Sequence, residues 1–220
     1  MLLRQNGGRV ISEDGTRCLL DSPEAIEALE FWVALSQKHK VVPTPEVMMD
    51  MSLWRMFALQ RTGMFVSFYA AAPILWRTCD FEWDIALVPR GPKNAHATFT
   101  GSALAVTAQC RNPEAAFEWV RWMTTDGMRH IMAFDVPAYR ELGASDAWRD
   151  ETKPPRSKQV AVDVMDIAGP PMQHPAYAEI MDAVNAPLNR ANRGDVSVRE
   201  AVKDIVPRIN AILARYARER

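Results

Sequence analysis

The clearest signal in the chain is a three-to-four-residue recurrence of apolar positions over two long stretches. From Pro175 to Arg193, Tyr177, Ile180, Met181, Val184, Leu188 and Ala191 fall on one stripe, and Gly194 stands where a helix needs a left-handed C-cap. From Ser197 to Tyr216 the stripe is Val198, Ala201, Val202, Ile205, Ile209, Ile212, Leu213 and Tyr216, entered through a capping box of Ser197 and Glu200. Pro187 and Pro207 each remove a backbone donor and should kink these helices. Two further helices carry the same start signal, a polar cap followed by Pro and Glu. Ser22-Pro23-Glu24 leads a stripe of Ala25, Leu29, Trp32, Val33 and Ser36. Asn112-Pro113-Glu114 leads Ala116, Trp119, Val120 and Met123, broken at Thr125-Asp126-Gly127, with a short resumption over Met128 to Phe134.

Between these helices the pattern shortens. The run entered by Gly63 and ending at Ser67, Phe68 and Tyr69, the run Trp83 to Val88 stopped by Pro89, and the Gly-led run Ser102 to Ala108 each read as a strand. Val10-Ile11, flanked by Asn6-Gly7-Gly8 and Asp14-Gly15, reads as a short hairpin. The Met-rich segment 46–60 reads as a helix packed into the core; a Met- and Trp-lined groove is the alternative. Strands alternating with helices predict an α/β fold.

Composition changes this picture little. The 220 residues are 48% hydrophobic and 24% charged, ordinary for a globular protein. The net charge of −1 gives no electrostatic case for nucleic acid or an anionic membrane. No apolar run approaches the ~18 residues of a membrane span. Met1 to Arg4 runs at once into polar residues, so no signal-peptide pattern is present in this stretch. Cys18, Cys79 and Cys110 are odd in number and widely spaced, which favours buried free thiols over a disulfide framework or a zinc site.

Candidate chemistry is sparse. No nucleophile elbow, phosphate loop, dinucleotide fingerprint or zincin motif occurs, and no cofactor is indicated. His39, His96, His130 and His174 are too scattered to advertise a metal site. Asp163 and Asp166 read as a solvated face. The chain therefore reads as a non-enzyme. Its seven tryptophans and loop aromatics offer flat faces of the kind that pack against sugar C–H surfaces beside a few fixed polar groups.

The segments TGM, WDIALVPRG, TGSALAV and NPEAAFEWVRWMTTDG, in this order, resemble the extracellular solute-binding proteins, family 1, the sugar-binding components of bacterial ABC importers. NGGRVISEDG, LDSPEAIEALEFW and the C-terminal helices resemble flanking parts of the same family, so the likeness runs along the whole chain. It implies a periplasmic-binding-protein-like type II fold, present here as most of the second lobe and a small part of the first. Residues 1–90 would belong to the second lobe, 91–136 to the first, and 137–220 to the second again. Family members are about twice as long, so the resemblance implies a fragment without the signal peptide and most of the first lobe. It implies an extracytoplasmic or periplasmic location, a sugar-like ligand, and a membrane permease as partner of the full-length protein. Turns facing the cleft in the family correspond to Ser67, Phe68, Tyr69, Thr100, Gly101, Ser102 and Tyr139, which are the expected ligand contacts. Gly101 would let a ligand approach the backbone closely. The rival readings are an α/β enzyme domain of unknown reaction and an inactive orphan fragment.

Overall fold

The computed structural model describes residues 1–101, 103–131, 136–137, 139–145, 148–149 and 152–218. The helices are α1 (Leu2–Gln5), α2 (Pro23–Gln37), α3 (Pro45–Asp50), α4 (Leu53–Ala58), α5 (Ala72–Thr78), α6 (Pro113–Thr124), α7 (Met128–Ile131), α8 (Arg140–Gly143), α9 (Gln159–Asp163), α10 (Tyr177–Arg193) and α11 (Val198–Arg218). Among the described residues, two short strands, β1 (Ala97–Thr98) and β2 (Ala168–Gly169), pair with each other. The chain forms two compact units. The first comprises Met1–Ser52, Pro89–Thr98 and Gly169–Arg220; the second comprises Leu53–Val88 and Phe99–Ala168.

The first unit is built on the helices whose stripes are strongest. α10 and α11 pack together and against α2. Ile180, Ile205 and Ile209 are fully buried between them, with Val184, Val202 and Leu213 alongside. The local signals act as the sequence requires. Ser22 Oγ accepts from the Ala25 N–H at 3.3 Å, and Gly194 closes α10 in the left-handed region at φ 87°. Both α10 and α11 run through their internal prolines. The predicted hairpin is a narrow antiparallel contact: Ile11 bridges Cys18, and the Leu19 N–H donates to the Val10 carbonyl at 2.9 Å.

The capping box at α11 is complete. The Ser197 N–H and hydroxyl both donate to Glu200 Oε2 at 2.7 Å, and the Glu200 N–H donates to Ser197 Oγ at 3.2 Å. The Ser197 N–H, then its hydroxyl, hold the Glu200 carboxyl below its ordinary pKa. Ser197→Ala is expected to cost about 1 kcal/mol. Because the folded-state pKa is lowered, the carboxylate's share is complete above the ordinary glutamate value of about 4.3 and is lost as pH falls through the lowered value. Urea midpoints of wild type and Glu200→Gln should therefore converge under acid conditions and separate near neutrality.

The second unit packs less apolar surface. Ala72, Leu75 and Trp83 form one cluster, and Leu142, Trp148 and Ala161 another; Tyr69 and Ile85 touch both. The Trp76 indole donates to the Pro154 carbonyl, and Asp84 accepts from the Ser157 N–H at 2.9 Å and its hydroxyl at 2.6 Å.

Several sequence expectations fail, most of them in this unit. The described residues of the runs 63–68, 83–88 and 103–108 are irregular and join no ladder. Met64 is 88% exposed and Leu104 52% exposed. A strand is completed by the neighbour that takes its N–H and C=O groups, and apolar content alone does not supply one. The Met-rich segment is two short helices, α3 and α4, rather than one core helix. Only Met56 of it is buried, and Met49 is 86% exposed. α6 forms from its Asn112 cap as predicted, yet none of its residues is buried, and Trp119 and Trp122 stack at 5.2 Å near the surface. The predicted resumption after Gly127 is seen as α7; residues 132–134 lie outside the described residues.

Candidate functional site

The expected ligand contacts all fall in the second unit's segments. Ser67 and Phe68 precede a 3₁₀ turn, Tyr69–Ala71, that leads into α5. Phe68 is 57% exposed, so its ring is open to solvent. Tyr69 is turned inward, its ring 5.6 Å from that of buried Trp148. Tyr139, just before α8, is 47% exposed. Thr100 and Gly101 are exposed; Ser102 lies outside the described residues. The structure thus separates the three aromatics: Phe68 and Tyr139 present open surface, and Tyr69 serves packing.

Gly101 has an unusual freedom. A Cβ there would meet nothing within 4 Å, and its backbone is not among the positive-φ glycines. Neither packing nor backbone geometry within the chain demands a glycine at this position. Gly91 and Gly127 contrast with it, since an added Cβ would lie 2.4 Å from Gln5 Cβ and 2.7 Å from the Trp122 ring respectively.

A second place had no motif to announce it. In the first unit a cavity of about 220 Å³ is lined by Arg4, Arg9, His96, Thr98, Tyr177 and Met181, among others. These residues come from distant segments, which is why no motif announced them. Burial above all, with the nearby positive charge of Arg4, holds the His96 pKa below its ordinary value. A larger hollow of about 390 Å³ lies along α10 and α11, but its charges answer one another: Arg190 and Arg208 stand with Glu200 and Asp204, and Arg208 pairs with Asp204 at 2.7 Å. Among the described residues no group of three His, Cys, Asp or Glu is placed to hold a metal ion, and no helix is long and apolar enough to cross a membrane. Cys18, Cys79 and Cys110 are free thiols, Cys18 buried and the others half-buried.

The sequence family described as bacterial extracellular solute-binding protein matches residues 1–129. The chain belongs to this family. A search of curated proteins found no match. Solved structures share the fold. An ABC substrate-binding protein from Listeria monocytogenes, in complex with cycloalternan, superposes with a TM-score of 0.85 at 20% identity, covering 97% of this chain and 55% of that one. The maltose-bound T. maritima MalE3 superposes with a TM-score of 0.78 at 24% identity, covering 96% and 56%. The maltose-maltodextrin binding protein of Alicyclobacillus acidocaldarius gives 0.73 at 20% identity, covering 94% and 57%. The fold is that of the type II periplasmic-binding-protein-like proteins, and the chain spans somewhat over half the length of these structures.

Proposed function

We propose that these 220 residues are part of the carbohydrate-binding component of an ABC import system, and that they bind solute rather than transform it. Family membership over residues 1–129 carries the reading. Its sugar class is supported by the ligands of the similar solved structures, cycloalternan and maltose among them. In the whole protein we place residues 1–90 and 137–220 in the second lobe and 91–136 in the first. That partition differs from the two compact units, which form from contacts within these residues alone. A permease would be the partner of the whole protein, and its location would be extracytoplasmic.

For ligand contact we propose Ser67, Phe68, Tyr69, Thr100, Gly101, Ser102 and Tyr139. Exposed Phe68 and Tyr139 have rings available for stacking against a sugar face. Open space over Gly101 suits close approach of a hydroxylated ligand to the backbone. Tyr69 would act chiefly by holding its neighbour's turn against Trp148.

Substitutions separate this role from a packing role. Gly101→Ala and Phe68→Ala are each expected to leave stability within about 0.5 kcal/mol of wild type, because neither site is filled by neighbours. Each should weaken maltose binding several-fold in NMR titrations. Loss of stability without loss of binding would assign these residues to the fold. Turnover of a glycoside by the chain, abolished by a single substitution, would favour the enzyme reading instead.

A further inference from the structure

The cavity in the first unit has a charge arrangement that the maltose-like reading does not use. Arg4, Arg9, His96, Thr98 and Tyr177 line it, and among the described residues no aspartate or glutamate does. Arg9 is answered from outside by Glu13 at 2.8 Å. Among the described residues the Arg4 guanidinium makes no ion pair. Its backbone is nevertheless held in place: the Arg4 carbonyl accepts from the Asn94 side-chain amide at 3.1 Å and from the Gly7 N–H at 3.0 Å. His96 is held by its surroundings too. Its ring lies against Gly169, where a Cβ would come within 2.8 Å of it.

An unmatched guanidinium in a concave site creates a positive potential that an anion would neutralise. Arg4 already acts on His96 in this sense, since, after burial, it helps to keep the imidazole from protonating. The hydroxyls of Thr98 and Tyr177 can donate to or accept from a polyhydroxylated ligand, while Met181 supplies apolar surface. At about 220 Å³ the cavity is smaller than the ~300–1,000 Å³ of pockets for drug-sized ligands, which suits roughly one sugar ring.

We propose that this cavity binds a monosaccharide carrying a carboxylate, a hexuronate, with Arg4 receiving the carboxylate and the hydroxyls of Thr98 and Tyr177 meeting the ring. The sugar part of the assignment rests on the carbohydrate reading above. The carboxylate part rests on the cavity's charge alone.

The test is an NMR titration of the isotope-labelled 220-residue chain with sodium glucuronate, glucose and sodium lactate, following the Thr98 amide and the His96 ring. Glucuronate should bind with a Kd about tenfold or more below that of glucose, as expected for one charge-assisted pair. Arg4→Met should erase this preference, and Arg4→Lys, which keeps the charge, should retain much of it. A helical circular dichroism spectrum like wild type in both variants ties the change to the side chain. Equal binding of glucose and glucuronate, or a preference that survives Arg4→Met, overturns the proposal. Lactate binding as tightly as glucuronate overturns its sugar part. Glucose shifts at Phe68 and Tyr139, with none at Thr98 and His96 from any ligand, would remove this cavity while leaving the carbohydrate reading intact.

Discussion

Ile209→Ala is expected to lower the stability of the first unit by about 2–5 kcal/mol. Ile209 is fully buried on α11, in the same cluster as Ile180 of α10 and Leu20 of the N-terminal segment. Removing its side chain forfeits burial and leaves a void that three separate chain segments would have to move to fill. The adjacent Asn210 makes such movement costly, because its side-chain oxygen accepts the Cys18 N–H at 2.8 Å and fixes the register of α11 against the hairpin. Chemical denaturation followed by far-ultraviolet circular dichroism is the measurement, with exposed Lys203→Ala as a control expected within about 0.5 kcal/mol of wild type. A midpoint unchanged by Ile209→Ala would take α11 out of the core.

Gly91→Ala is expected to cost about 1–3 kcal/mol through overpacking, and more if the loop cannot shift. The new Cβ would lie 2.4 Å from Gln5 Cβ and 2.9 Å from the Gln5 carbonyl oxygen. Gln5 cannot easily give way. Its side-chain amide donates to the carbonyls of Pro89 at 2.9 Å and His96 at 3.0 Å. Its own carbonyl accepts from the Lys93 and Asn94 N–H groups at 3.1 and 3.2 Å. One buried glutamine thus satisfies both ends of the segment 89–96, and Gly91 is the residue that lets the two backbones approach. Gln5→Ala should also destabilise, because it strands the two carbonyls. A melt of Gly91→Ala that matches wild type would mean that the loop 89–96 is not fixed in this way.

What could be read from the sequence divides along a physical line. Helix starts and stops were legible because their chemistry is local: Ser22 reaches Ala25, Asn112 reaches Ala115, Ser197 and Glu200 close on each other, and Gly194 needs only its own φ. Burial was legible where a helix stripe met another helix stripe, as on α10 and α11. The stripe of α6 was equally regular, yet it is uncovered, since periodicity describes one partner and says nothing of the other. Strand predictions failed for the same reason: Leu104 and Val106 have strand-like sequence and no ladder to join. At the expected ligand site, the exposure of the Phe68 ring and the open space over Gly101 come from the structure. The inward turn of Tyr69 was not legible either, because Trp148, which faces it, is remote in sequence. The cavity around Arg4 and His96 left no trace in any local pattern, since its lining is gathered from three stretches far apart in the chain, 1–11, 96–98 and 170–181.

The central proposal is that the chain is part of a sugar-binding component of an importer. The most direct measurement is an equilibrium titration of the chain, by NMR at millimolar ligand, against maltose, glucose, glucuronate, an amino acid panel and a nucleoside panel. The account predicts saturable shifts with sugars alone, with dissociation constants in the millimolar range, about −4 kcal/mol, because contacts come from these residues only. Saturation by amino acids or nucleosides with no response to any sugar would contradict it.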